Sequence, residues 1–248
     1  MTTFPAESAY LDELAARLRR LLGEDLVGVY VGGSYALGDY EPGRSDLDVA
    51  AVVAGPLAER RRAELVAALR HESLACPARG LELVVYTAKA AGTPTAEAAF
   101  ELNLNTGARM PFRVDTEPVP GELHWFAPDR AVLQDQGIAL LGPPADVVFA
   151  ALTPSLLLPV LAEVLRWYRG DGRRDDAVLN ACRSLRFAQE STWSSKPAAA
   201  RWALGAPGVE DRALVAEALA ARRTGAELDA GRVDAFLARA VARLEAGA

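Results

Sequence analysis

The spacing of apolar positions changes along the chain, and each change marks an element. Leu11, Leu14, Leu18, Leu21 and Leu22 recur at helical steps and are followed by Gly23, a residue suited to ending a helix. Leu26–Val31 is an unbroken apolar, β-branched run closed by Gly32-Gly33, which predicts a buried strand. Leu47–Val53 predicts a second strand, ended by Gly55-Pro56. Residues 57–69 return to helical spacing, and 81–86 predict a third strand. Phe100, Leu102 and Leu104 alternate with Glu101, Asn103 and Asn105, the two-residue period of a strand with one face on a core. Residues 110–120 contain three prolines and read as irregular.

From about Pro154 only helical spacing remains, over 156–168, 175–190, a short piece at 197–204, 209–223 and 233–244. Gly142-Pro143-Pro144 is the natural boundary. The predicted architecture is an α/β (α+β) domain with a mixed sheet over residues 1–143, then an all-α helical bundle over 144–248.

Composition narrows the function. Half the 248 residues are hydrophobic, enough for a sizeable core. The net charge of −6 argues against an extended nucleic-acid surface, which would show a basic excess. Cys76 and Cys182 stand alone, without the spacing of a disulfide framework or a zinc site. The amino terminus lacks a basic region leading into an apolar run, and no stretch reaches the roughly 18 apolar residues that cross a bilayer. A cytoplasmic monomer without membrane or nucleic-acid partners is expected.

The chemistry concentrates in residues 31–49, VGGSYALGDYEPGRSDLDV. A strand runs into Gly32-Gly33-Ser34, where small side chains let the backbone approach a phosphate and the Ser34 hydroxyl adds a further donor. Asp46 and Asp48 are two apart at the start of a strand, so their carboxylates point to one face and can share a Mg²⁺, which prefers hard oxygen ligands. Glu82 is the one acid in an otherwise apolar strand, where a carboxylate is costly unless compensated. If that strand lies beside the Asp48 strand, Glu82 completes a cluster of three carboxylates. It could then ligate metal or accept the proton of an attacking hydroxyl. Taken singly, Gly-Gly-Ser suits a tight turn and Asp-x-Asp a solvated strand edge; their order between strands, with Glu82 following, points to nucleotidyl transfer.

These residues resemble the nucleotidyltransferase superfamily of DNA polymerase β type, marked by Gly-Ser, about ten residues, then Asp-x-Asp. Over most of its length the chain is similar to the aminoglycoside 3''/9-adenylyltransferases, the streptomycin and spectinomycin resistance enzymes. That resemblance rests also on Leu81-Glu82, on residues 139–144, on 178–184 and on 196–203. It implies ATP as co-substrate, Mg²⁺ at Asp46, Asp48 and Glu82, and Glu82 as base. Gly33, Ser34, Arg44 and Ser45 would sit at the nucleotide, and Arg183 and Lys196 would contact its phosphates. The acceptor would be a small polar molecule, an aminoglycoside or aminocyclitol.

Two departures bear on that acceptor. The family's drug-packing tryptophan is replaced by Asn105-Thr106-Gly107, and Arg169, Arg173 and Arg174 interrupt its acidic stretch, leaving Asp171, Asp175 and Asp176 as substitutes. A macromolecular acceptor, or a non-catalytic nucleotide-binding module, is the alternative.

Overall fold

The computed structural model describes residues 4–121, 123–171 and 173–247. The chain divides into two compact units, Met1–Ala151 and Leu152–Ala248.

The first unit opens with α1 (Pro5–Leu22), started by Pro5 at its first position and ended at Gly23, whose φ is 58°. The strands follow as β1 (Leu26–Val31), β2 (Leu47–Val53), β3 (Leu81–Thr87), β4 (Leu102–Gly107), β5 (Met110–Asp115) and β6 (Ile138–Leu141). Between them lie α2 (Gly33–Ala36), α3 (Glu59–Leu69), α4 (Ala88–Ala91) and α5 (Phe126–Gln136), and α6 (Ala145–Val148) comes after β6. Among the described residues the strands form one sheet in the order β5-β4-β3-β2-β1-β6. It is mixed: β2 and β3 run parallel, and the other neighbours run antiparallel.

The sheet is covered on both faces, as its unbroken apolar strands require. Val29, Val31, Val49, Ala51, Leu83, Val85 and Leu104 share one core with Leu11, Leu14 and Leu18 of α1 and Leu65 and Leu69 of α3. Tyr30, Ala50, Val52 and Tyr86 face the other way, into a smaller core with Phe100, Phe126, Leu133 and Phe149. Asp48 and Glu82 keep the two-residue phase of this second face, one step outside its apolar part. Arg130 of α5 is 2% exposed and donates to the carbonyls of Ala90 (2.8 Å), Thr95 and Glu97 (3.3 Å), which ties the loop after β3 to α5.

Residues 110–120 contain a strand that their prolines concealed. Pro111 sits on β5, the edge of the sheet, where a missing N–H costs no ladder bond on the outer side.

The second unit consists of α7 (Pro154–Asp171), α8 (Arg174–Glu190), α9 (Lys196–Gly205), α10 (Arg212–Thr224) and α11 (Ala230–Ala246). Ser195, Asp211 and Asp229 cap the last three by accepting from backbone N–H groups of the first turn. Its core is largely aliphatic, with Leu157, Leu165, Val178, Leu185, Leu214, Leu237 and Leu244 buried beside the aromatic Phe187, Trp193 and Phe236. Among the described residues no helix is long and apolar enough to cross a membrane.

Candidate active site

The site of the first unit lies where β1 and β2 meet. Gly32 N–H donates to the Asp48 carbonyl at 2.9 Å, so the turn after β1 is fastened to the one carboxylate-bearing residue of β2. Gly33 adopts a φ of 52°, and a Cβ placed on it would overlap the Asp48 carboxylate. The glycine is therefore required twice, for its backbone conformation and for the acid packed against it. Replacing Gly33 with alanine should cost about 1–3 kcal/mol for the backbone conformation alone and also displace Asp48. The expected outcome is a lowered Tm together with loss of ATP binding; a variant with wild-type ATP affinity in calorimetry would contradict it.

Ser34 Oγ is buried and, among the described residues, finds no hydrogen-bond partner. A buried hydroxyl left so is costly unless a ligand completes it. Ser45 does something else: its Oγ accepts from Glu41 N–H at 3.1 Å, and its own N–H donates to the Glu41 carbonyl at 2.9 Å. Arg44 lies 3.6 Å from the Glu41 carboxylate. Both residues thus shape the loop that delivers Asp46.

The parallel pairing of β2 with β3 sets Asp48 opposite Glu82 in register. Asp46 lies just ahead of β2, and its Oδ2 receives Arg79 Nη2 at 2.5 Å; the same nitrogen is 3.7 Å from Glu82 Oε1. Burial pushes the Glu82 carboxyl well above the ordinary glutamate range, and the charges of Asp46, Asp48 and Asp129 push it further, while Arg79 pulls it partly back. The side chain is still 38% exposed, so an acceptor can reach it. The register row continues outward from Glu82 to Asn105 of β4 and Arg113 of β5.

The donor set fits Mg²⁺: hard carboxylate oxygens in mutual repulsion, beside a glycine turn with an unsatisfied hydroxyl. Among the described residues, however, no three acidic, histidine or cysteine side chains are already gathered as a metal site.

Arg79 and Asp129 were not anticipated. Asp129 belongs to α5, whose helical spacing is obscured by Pro128, and Arg79 lies just outside β3. The usable signal for Arg79 was a basic residue three positions before an acid that needed compensation.

In the second unit, Lys196 Nζ lies 3.3 Å from Asp176 Oδ1, and Arg222, almost fully buried, approaches the same oxygen at 3.9 Å. Burial lowers the Lys196 pKa; Asp176 opposes that effect, and the nearby Arg183 and Arg222 charges add to it. Arg183 donates to Asn180 Oδ1 at 2.9 Å and lies over the Trp193 ring at 6.0 Å, and Asn180 is itself bonded to the Tyr168 hydroxyl at 2.8 Å. Such a cation-rich cluster suits phosphates. Asp175 is held by Arg173 through two bonds, of 3.1 and 2.7 Å.

Two family models match the chain, the nucleotidyltransferase domain over residues 11–92 and the C-terminal domain of aminoglycoside adenylyltransferases over residues 154–246. The chain belongs to the aminoglycoside adenylyltransferase family of the nucleotidyltransferase superfamily. It is an enzyme of the nucleotidyltransferase class.

Among solved structures it is similar to the spectinomycin adenyltransferase AAD(9) from Enterococcus faecialis, solved with ATP and spectinomycin. That match has a TM-score of 0.68 and 15% identity, covering 96% of this chain and 99% of the other. At that identity the likeness shows the fold. A toxin–antitoxin structure with AMP-PNP also matches, at 16% identity over 63% of this chain and 89% of the other, but its TM-score of 0.29 carries no argument. No curated protein sequence matches the chain.

Proposed function

We propose that the protein transfers AMP from ATP to a hydroxyl of an aminoglycoside or aminocyclitol of the streptomycin and spectinomycin type, releasing pyrophosphate. The observation that carries this reading is the register of Asp48 with Glu82 across parallel strands, beside the Gly33-Ser34 turn.

Asp46 and Asp48, with Glu82, would hold Mg²⁺, which when bound would offset triphosphate charge and favour loss of pyrophosphate. The Gly33-Ser34 turn holds a phosphate through the backbone and the Ser34 hydroxyl. Glu82 accepts the proton of the acceptor hydroxyl as the hydroxyl oxygen attacks the α-phosphorus. Within the second unit, Arg183 and Lys196 are cations suited to a phosphate, and Asn180 accepts from Arg183 and fixes its direction.

For the acceptor, Asp175 and Asp176 were the candidates for binding cationic groups. Asp175 is engaged by Arg173 and Asp176 by Lys196 and Arg222, so neither offers an uncompensated charge. This favours an aminocyclitol with few cationic groups over a polycationic aminoglycoside. The test is incubation of the protein with ATP, Mg²⁺ and a panel of both compound classes. Pyrophosphate release and a product heavier by one AMP unit, with aminocyclitols as the better acceptors, are expected. ATP binding without turnover on any of them would instead favour a macromolecular acceptor or a binding module.

A further inference from the structure

We infer that Arg79 is the internal counter-ion of the carboxylate cluster and competes with the divalent cation for Asp46 and Glu82. The inference rests on the metal assignment made above.

One guanidinium nitrogen, Nη2, reaches Asp46 Oδ2 at 2.5 Å and Glu82 Oε1 at 3.7 Å. That position is set by the backbone. Arg79 N–H donates to the Ser45 carbonyl at 3.0 Å, its carbonyl accepts from Arg109 N–H at 3.3 Å, and the adjacent Gly80 carbonyl accepts from Leu47 N–H at 2.9 Å. The parallel ladder of β2 and β3 thus extends past the strand ends and holds Arg79 beside the residue that precedes Asp46. On the other side the fit is equally close, since a Cβ on Gly107 would overlap the Arg79 carbonyl.

Physical necessity accounts for the arrangement. Carboxylates gathered in a recess repel one another, and a fixed cation among them lowers the cost of holding them there. A guanidinium can bridge two carboxylates, but a divalent ion with oxygen ligands needs those same oxygens. Asp46, drawn toward Arg79, is one reason the three acids are not already gathered for a metal. The Arg79 side chain is 42% exposed, so it can leave the carboxylates for solvent without burying its charge elsewhere. The consequence is a site that holds together without metal and binds metal more weakly until nucleotide phosphates arrive to receive a displaced cation.

Arg79→Met keeps the length of the side chain and removes the charge. Mn²⁺ binding to wild type and variant, without nucleotide and followed by the electron paramagnetic resonance of the free ion, is expected to be about threefold to fivefold tighter in the variant. In EDTA the variant is expected to melt below wild type, and saturating Mn²⁺ should narrow the gap. Equal or weaker Mn²⁺ affinity in Arg79→Met overturns this inference while leaving the metal assignment intact. Absence of Mn²⁺ binding in both proteins, with and without ATP, overturns the assignment and this inference with it.

Discussion

Asp48→Asn is expected to lower AMP transfer by two to three orders of magnitude while leaving the fold intact, the scale seen when one charge-stabilising group is removed from a transition state. Asparagine has nearly the shape of aspartate, so it fits against Gly33, where even one added carbon would overlap. The strand loses nothing either: the Gly32 bond is made by the Asp48 backbone carbonyl, not by its carboxylate. What disappears is a negative oxygen facing Glu82, and with it a ligand for the cation that balances the triphosphate. Asp46→Asn should silence the enzyme equally but differ in stability, because Asp46 also holds Arg79. That pair is partly exposed and is worth no more than about 1 kcal/mol. Pyrophosphate release measured beside a thermal melt separates the two effects. An Asp48→Asn protein retaining a tenth of wild-type turnover would remove Asp48 from the metal site.

How much of this was legible in the sequence depends on how locally each feature is encoded. β1, β2 and β3 were readable because central strands buried on both faces must be apolar throughout, and the exceptions, Asp48 and Glu82, then stand out. The five helices of the second unit were readable from apolar residues recurring at helical spacing. β5 was not, because an edge strand is paired on one side only and tolerates the polar residues and proline that blur a two-residue period, and β6, Ile138–Leu141, is an apolar edge strand too short to show a period at all.

The site divides in the same way. Asp46, Asp48 and Gly33 belong to one short segment, so spacing sufficed to find them. The register of β2 with β3, which puts Glu82 opposite Asp48, is a tertiary fact that the sequence could only make conditional. Asp129 and Arg79 act on Glu82 from outside that segment and carry no motif. Arg44 and Ser45 show the opposite case. They fall within the motif, yet their visible bonds serve the loop around Glu41.

Glu82→Gln should separate binding from chemistry more cleanly than any other change. ATP affinity is expected to stay within about threefold of wild type, because the amide retains the shape of the side chain and the nucleotide turn is untouched. Turnover should fall by about 10²–10⁴, the usual contribution of a positioned general base. Stability gives a second, independent reading. In the folded protein without metal the Glu82 pKa lies well above its ordinary value of 4.5, first through burial and then through Asp46, Asp48 and Asp129. The folded chain therefore holds this proton more tightly than the unfolded chain does. The resulting stability is fully present below pH 4.5 and is lost as pH rises through the folded-state value. A glutamine carries no such charge, so the loss is absent from the variant. In EDTA, the Tm of Glu82→Gln relative to wild type should rise as pH increases from 4.5 toward 8. A difference that stays flat across that range would show that the carboxylates do not crowd Glu82, and unchanged turnover would remove it as the base.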